Sequence, residues 1–179
     1  MRSLHESVLF DMLQGETLTR ATTPPLDIVY WEDIVVVVDS GRGAPGLYDK
    51  AADRVARHAG RCPSGVGILT VIPADATPPP DEVRKAMNAA LATVERSIRC
   101  LCWIVEGTGF QGAMVRGVCN GLRVFRRRPY PTKVATEMHQ ALSWMLPHLE
   151  GGKERLPRIY EAAATINGLR AKGRFSRSF

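Results

Sequence analysis

Three glycines follow an apolar run in "CWIVEGTGFQGAMVRG", residues 102–117. Gly107, Gly109 and Gly112 have the G-x-G-x-x-G spacing of a dinucleotide-binding turn. Such a turn works because glycine lets the backbone approach a pyrophosphate, while the helix that follows offers unpaired N–H groups and a positive dipole end. With Thr108, and with Arg116 one turn further on, the three glycines form the candidate ligand-binding set. Arg126–Arg128 after the next strand could imitate a 2′-phosphate site. Four features oppose a dinucleotide. The motif follows the fourth strand instead of opening the fold. Only one clear strand comes after it. The ribose-binding acid about twenty residues on is missing. Glu106 would also set a negative charge beside the phosphates. The simpler reading is a compact strand-to-helix turn built from glycine.

Other reactive types are scattered. Ser40-Gly41, Ser64-Gly65 and Cys119-Asn120-Gly121 could present a nucleophile, but each reads as turn or cap chemistry. G-x-S-x-G and G-x-x-x-x-G-K-[ST] are absent from the sequence. The carboxylate pair Glu32-Asp33 suits a hairpin turn, and Asp81-Glu82 a helix start. Cys62, Cys100, Cys102 and Cys119 include no C-x-x-C, and the four histidines follow no metal-ligand spacing. Cys100 and Cys102, two apart on a strand, share a face and read as buried thiols. No catalytic residue, metal ligand or cofactor is expected.

Composition sets the frame in which these residues act. A hydrophobic fraction of 45% and a charged fraction of 23% belong to a globular domain with a sizeable core. The longest apolar runs are far too short to span a bilayer, and the N-terminal segment does not read as a secretory signal. The expectation is a cytoplasmic protein without membrane insertion. Charge is uneven: residues 151–179 hold seven Lys/Arg against two Asp/Glu, out of a net +6 for the chain. Arg170, Lys172, Arg174 and Arg177, with Phe175 and Phe179, are therefore the candidate partner- or anion-binding tail. Nucleic acid is expected to bind only there.

The elements that must position these residues follow from periodicity. Residues 3–14 place Leu4, Val8, Leu9, Met12 and Leu13 at helical spacing. Strands are expected at 28–31 and 34–38, with Glu32-Asp33 between them. A helix over 45–59 repeats Leu47, Ala51, Val55 and Ala59, with Pro45 at its first turn. A strand begins at Val66. A helix opening at Pro80 or Asp81 carries the stripe Val83, Met87, Ala90, Leu91, Val94 and Ile98. "LCWIVEG" is the fourth strand, residues 110–122 a helix, "RVF" the fifth strand, and "VAT" a short extended piece. Thr136 is expected to cap a helix over 137–149. "EGGK" looks like a domain edge before a last helix. The order β-β-α-β-α-β-α-β-α argues an α/β fold with a mixed, mainly parallel sheet and extra terminal helices.

The strand "CWIVEG", the helix after it, "LRVF", and then "HQALSWML" resemble the closing half of STAS/SpoIIAA-like domains. The match to their final helix is carried by Ala141, Leu142, Trp144 and Leu146. The opening strand pair and helix also fit, so the resemblance covers about residues 24–149. Residues 1–23 and 150–179 are then a helical extension and a basic helix and tail. The resemblance implies a non-catalytic regulatory or adaptor domain that binds a protein partner or itself. Some relatives bind nucleotides or lipid-like ligands, so a small-molecule or phosphate-ligand binder stays open. The family's D-S-[ST]-G-like phosphorylation turn is missing. Thr108-Gly109 is the nearest analogue, and no aspartate precedes it.

Overall fold

The computed structural model describes residues 25–107 and 128–175, with side chains in the last helix as far as Ala171. The helices expected over residues 3–14 and 110–122, and the strand expected at 123–125, lie outside the described residues.

The chain opens with a hairpin. β1 (Leu26–Trp31) pairs antiparallel with β2 (Ile34–Asp39), and Trp31 faces Ile34 across a turn made of Glu32 and Asp33. β2 is a run of β-branched residues, a type that packs well on a pleated surface. Both its faces are covered: Ile34, Val35, Val36 and Val38 are buried. Helix α1 (Pro45–Ala59) leads to β3 (Val66–Ile72), and helix α2 (Asp81–Val94) leads to β4 (Ile98–Val105). Among the described residues β5 (Thr132–Ala135) completes a five-stranded sheet in the order β1-β2-β3-β4-β5, parallel from β2 onward. Helix α3 (Met138–Met145), the single turn α4 (Gly152–Arg155) and helix α5 (Ile159–Phe175) follow.

Alternation along the strands divides the core into two layers. Val35, Ile68 and Leu101 meet Tyr48, Ala52 and Val55 of α1 and Val83, Ala90 and Val94 of α2. On the other face Val36, Leu69 and Cys102 meet Leu142 and Met145 of α3 and Ala162, Ala163 and Ile166 of α5. Leu142, Met145 and Ile166 are fully buried, so truncating any of them to alanine would cost about 2–5 kcal/mol.

Four expectations change. Ile98 belongs to β4, not to the stripe of α2: a 3-10 turn over Glu95–Ser97 ends the helix first. The short piece around "VAT" is a full member of the sheet, as β5. Thr136 does not cap α3. Glu137 holds the cap position, and the Thr136 hydroxyl donates to Gln140 Oε1 at 3.0 Å. Finally, "EGGK" is no domain edge. Gly152 is buried where a Cβ would lie 1.6 Å from the Leu146 carbonyl oxygen, and α5 shares its core with α3. Residues 152–171 are therefore integral to the domain that the resemblance closed at 149.

Candidate functional site

In an α/β sheet, loops at the carboxyl ends of parallel strands are the usual place for ligand chemistry. Here side chains tie the loop after β2 to the loop after β3, and the end of β4 to helix α5. Asp39 ends β2 and is buried. Its Oδ1 accepts from the Gly41 N–H at 2.8 Å and from the Tyr48 hydroxyl at 3.1 Å. Burial pushes the Asp39 carboxyl above its ordinary range, and the two hydrogen bonds pull it partly back. The Tyr48 hydroxyl is pushed up by burial and by the neighbouring carboxylate. Arg42, from the loop after β2, pairs with Asp75, from the loop after β3, at 3.1 Å.

The glycine-rich stretch begins at the same end. Gly107 has φ +105°, a conformation that favours glycine, and a Cβ there would lie 3.2 Å from the Ala74 methyl. Glu106 does not stand as a bare charge before it. Arg170 Nη2 lies 2.7 Å from Glu106 Oε1, and Arg170 Nη1 donates to Asn167 Oδ1 at 3.1 Å. Thus the structure brings Gly107 and Arg170, read from the sequence as members of two separate sets, to one end of the sheet. The Arg170 side chain is 9% exposed and held in cis. Thr108, Gly109, Gly112 and Arg116, and likewise Arg177 and Phe179, lie outside the described residues. Lys172, Arg174 and Phe175 continue the backbone of α5.

The amino ends of the strands hold a second feature, which sequence reasoning missed. A cleft of about 310 Å³ is lined by Glu32, Asp33, Cys62, Pro63, Ser64, Gly65, Glu150, Gly151 and Arg155. Arg155 organises it. Its Nη1 donates to Glu32 Oε2 at 2.6 Å and Asp33 Oδ1 at 2.7 Å, and its Nη2 to Asp33 Oδ2 and the Glu150 carbonyl at 3.1 Å. The guanidinium also stands 5.8 Å from the Trp31 ring centre. Burial alone would lower the Arg155 pKa, but the bonds to Asp33 and Glu32 outweigh it and raise it. They also hold the turn, in which Glu32 adopts φ 50°, a strained conformation for a residue with a side chain. The Ser64 hydroxyl donates to Glu150 Oε2, and Arg99 Nε donates to the Ser64 carbonyl.

The groups that could react are set against it. The Cys62 thiol is raised by burial and by the nearby Asp33 charge, so little thiolate forms at neutral pH. Cys100 and Cys102 are core residues whose thiols burial pushes up to about 12. Among the described residues no cluster of three His, Cys, Asp or Glu could hold a metal ion, and no helix is long and apolar enough to cross a membrane. The sequence offers the parts of the cleft only separately: Glu32-Asp33 and Ser64-Gly65 read as turn chemistry, and Glu150-Gly151 as part of a domain edge. The cation, Arg155, comes from 122 positions beyond Asp33.

No family model matches the chain, and neither the curated proteins nor the solved structures hold a match.

Proposed function

We propose that this chain is a non-catalytic regulatory or adaptor domain of the STAS/SpoIIAA-like kind, working in the cytoplasm through protein–protein contact. The observation that carries the reading is the state of the polar groups at the carboxyl ends of β2, β3 and β4. Asp39 is bonded to Tyr48 and Gly41, Arg42 to Asp75, and Glu106 to Arg170. Arg42–Asp75 braces the loops after β2 and β3 against each other, while the bonds of Asp39 and Glu106 fix the ends of β2 and β4 against α1 and α5. General acid–base work needs a group left available at the proton it moves. A preset, braced surface instead suits docking, since a partner that meets ordered loops pays no ordering entropy there. The test is light scattering on the purified chain, with chemical cross-linking and capture against its own lysate. A specific partner or a defined oligomer supports the proposal, and a strict monomer with no specific partner overturns it.

A second reading, a small-molecule or phosphate-ligand site at the glycine turn, is favoured by one observation. Arg170 offsets the Glu106 charge that would otherwise repel an anion. A nucleotide or sugar phosphate would then raise the melting temperature, and Gly109→Val would abolish the rise. A broad screen that leaves the melting temperature unmoved removes this reading.

A further inference from the structure

We infer that the chain associates with itself head to tail, the basic segment Lys172–Phe179 of one copy seating in the cleft around Glu150 of the next. The inference rests on the adaptor reading and names a second copy as its partner.

The cleft and the segment are complementary. Three carboxylates, Glu32, Asp33 and Glu150, line the cleft against one cation, Arg155, and Cys62, Pro63, Gly65 and Gly151 supply small or apolar wall. Arg99 stands beside it with Nε committed to the Ser64 carbonyl. The sequence "KGRFSRSF" carries three cations, two phenyl rings and no acid, and no Asp or Glu follows Glu161. An alternation of arginine and phenylalanine can set guanidinium groups on the carboxylates and rings on the wall.

Geometry forbids the contact within one chain. The cleft lies at the amino ends of β2 and β3, whereas Arg170 is anchored to Glu106 beyond the carboxyl end of β4. A seven-residue strand separates those ends by about 23 Å. Helix α5 runs on to Phe175, adding about 7 Å in its own direction. The four residues 176–179 reach at most about 14 Å. They cannot return to their own cleft, but they can enter that of a neighbour. Because donor and acceptor surfaces differ, the contact is heterologous: an open assembly keeps a free acceptor at one end and a free donor at the other, and a closed ring satisfies both.

The test is a capping experiment on the full chain. Wild-type protein should show a weight-average mass that rises with concentration and falls as salt screens the contact. Glu150→Lys should weaken association roughly tenfold or more, and so should the neutral tail Lys172→Gln/Arg174→Gln/Arg177→Gln. Pro63→Lys, on the exposed wall, serves if Glu150→Lys does not fold. An equimolar mixture of a cleft variant and the tail variant retains one good tail and one good cleft. It should stop at a one-to-one pair. A wild-type monomer at all concentrations overturns the inference, as does unimpaired association of either variant or a mixture that stays monomeric. So does a tail that binds heparin or nucleic acid while the chain stays monomeric. A monomer that still captures another protein sinks only this inference and leaves the adaptor reading standing.

Discussion

Arg170 Nη2 lies 2.7 Å from Glu106 Oε1, so the last helix is bolted to the residue that precedes Gly107. Sixty-four positions separate the two in sequence. The arginine is the more buried partner, with 9% of its side chain exposed against 36% for the glutamate. Removing either partner therefore has unequal effects.

Arg170→Met keeps most of the volume but removes the charge-assisted bonds to Glu106 and Asn167. It should cost about 1–3 kcal/mol, because the half-buried carboxylate left behind recovers only part of its hydration. Glu106→Gln should be worse than its exposure suggests, since it removes the counter-charge of a guanidinium that is 9% exposed and leaves it only neutral acceptors. The double variant should cost less than the sum of the two, a coupling that urea denaturation of all four proteins would measure. Strict additivity would mean that the pair contributes nothing to holding α5.

Two glycines make opposite predictions. At Gly152 a Cβ would sit 1.6 Å from the Leu146 carbonyl oxygen and 2.5 Å from its carbon, both backbone atoms. Gly152→Ala must push α4 off the end of α3, and a loss of about 3 kcal/mol or more is expected, at the high end for a single substitution. Gly168, inside α5, meets nothing within 4 Å. Gly168→Ala should instead stabilise by up to about 1 kcal/mol, the helix-propensity difference. Melting curves of the two variants would show shifts of opposite sign.

What was legible in the sequence was local. Helix α1 has the expected bounds because Pro45 sets its first turn and its apolar residues recur four apart. The apolar run of β2 marked a strand covered on both faces. The misses came where tertiary context decides. Ile98 continues the helical stripe of α2, yet β4 pairs it with Val66. "VAT" is too short to announce itself and becomes a strand only because β4 offers an edge. "EGGK" has the composition of a linker, and only its contact with Leu146 reveals a packed corner. The cleft was illegible for the same reason: Glu32, Ser64, Glu150 and Arg155 meet through the fold, not through spacing.

The thiols should separate by accessibility. In a Cys119→Ser background, Cys62 is the one partly accessible thiol, while Cys100 and Cys102 are buried. A maleimide should label Cys62 slowly at neutral pH and faster as pH rises, because burial and Asp33 hold its pKa up. Cys100 and Cys102 should label only after unfolding. Their pKa values rise from 9.0 unfolded to about 12 folded, so the folded state keeps protons that the unfolded state releases. Their contribution to stability is full below 9.0 and is lost as pH climbs towards about 12. Mass spectrometry of the folded protein showing rapid label on either core cysteine would contradict this packing.

Asp39 sets a pH dependence at the acid end. Burial raises its folded pKa above the ordinary 3.8, while the bonds from Gly41 and Tyr48 oppose the shift. A carboxyl with a raised folded pKa holds its proton more tightly in the native state. Its contribution to stability is therefore full below 3.8 and lost as pH rises through the raised value, the reverse of an ion-paired carboxylate. Other acids in the chain slope the opposite way, so the informative quantity is the difference between wild type and Asp39→Asn. That difference should shift against wild type as pH rises from 3.8, by about 1.4 kcal/mol for each unit by which the folded pKa is raised. Tyr48→Phe removes the weaker of the two opposing bonds and should extend the window to higher pH. Urea titrations of the three proteins across this range decide it, and a difference that does not change with pH would show that Asp39 ionises in the fold as it does in water.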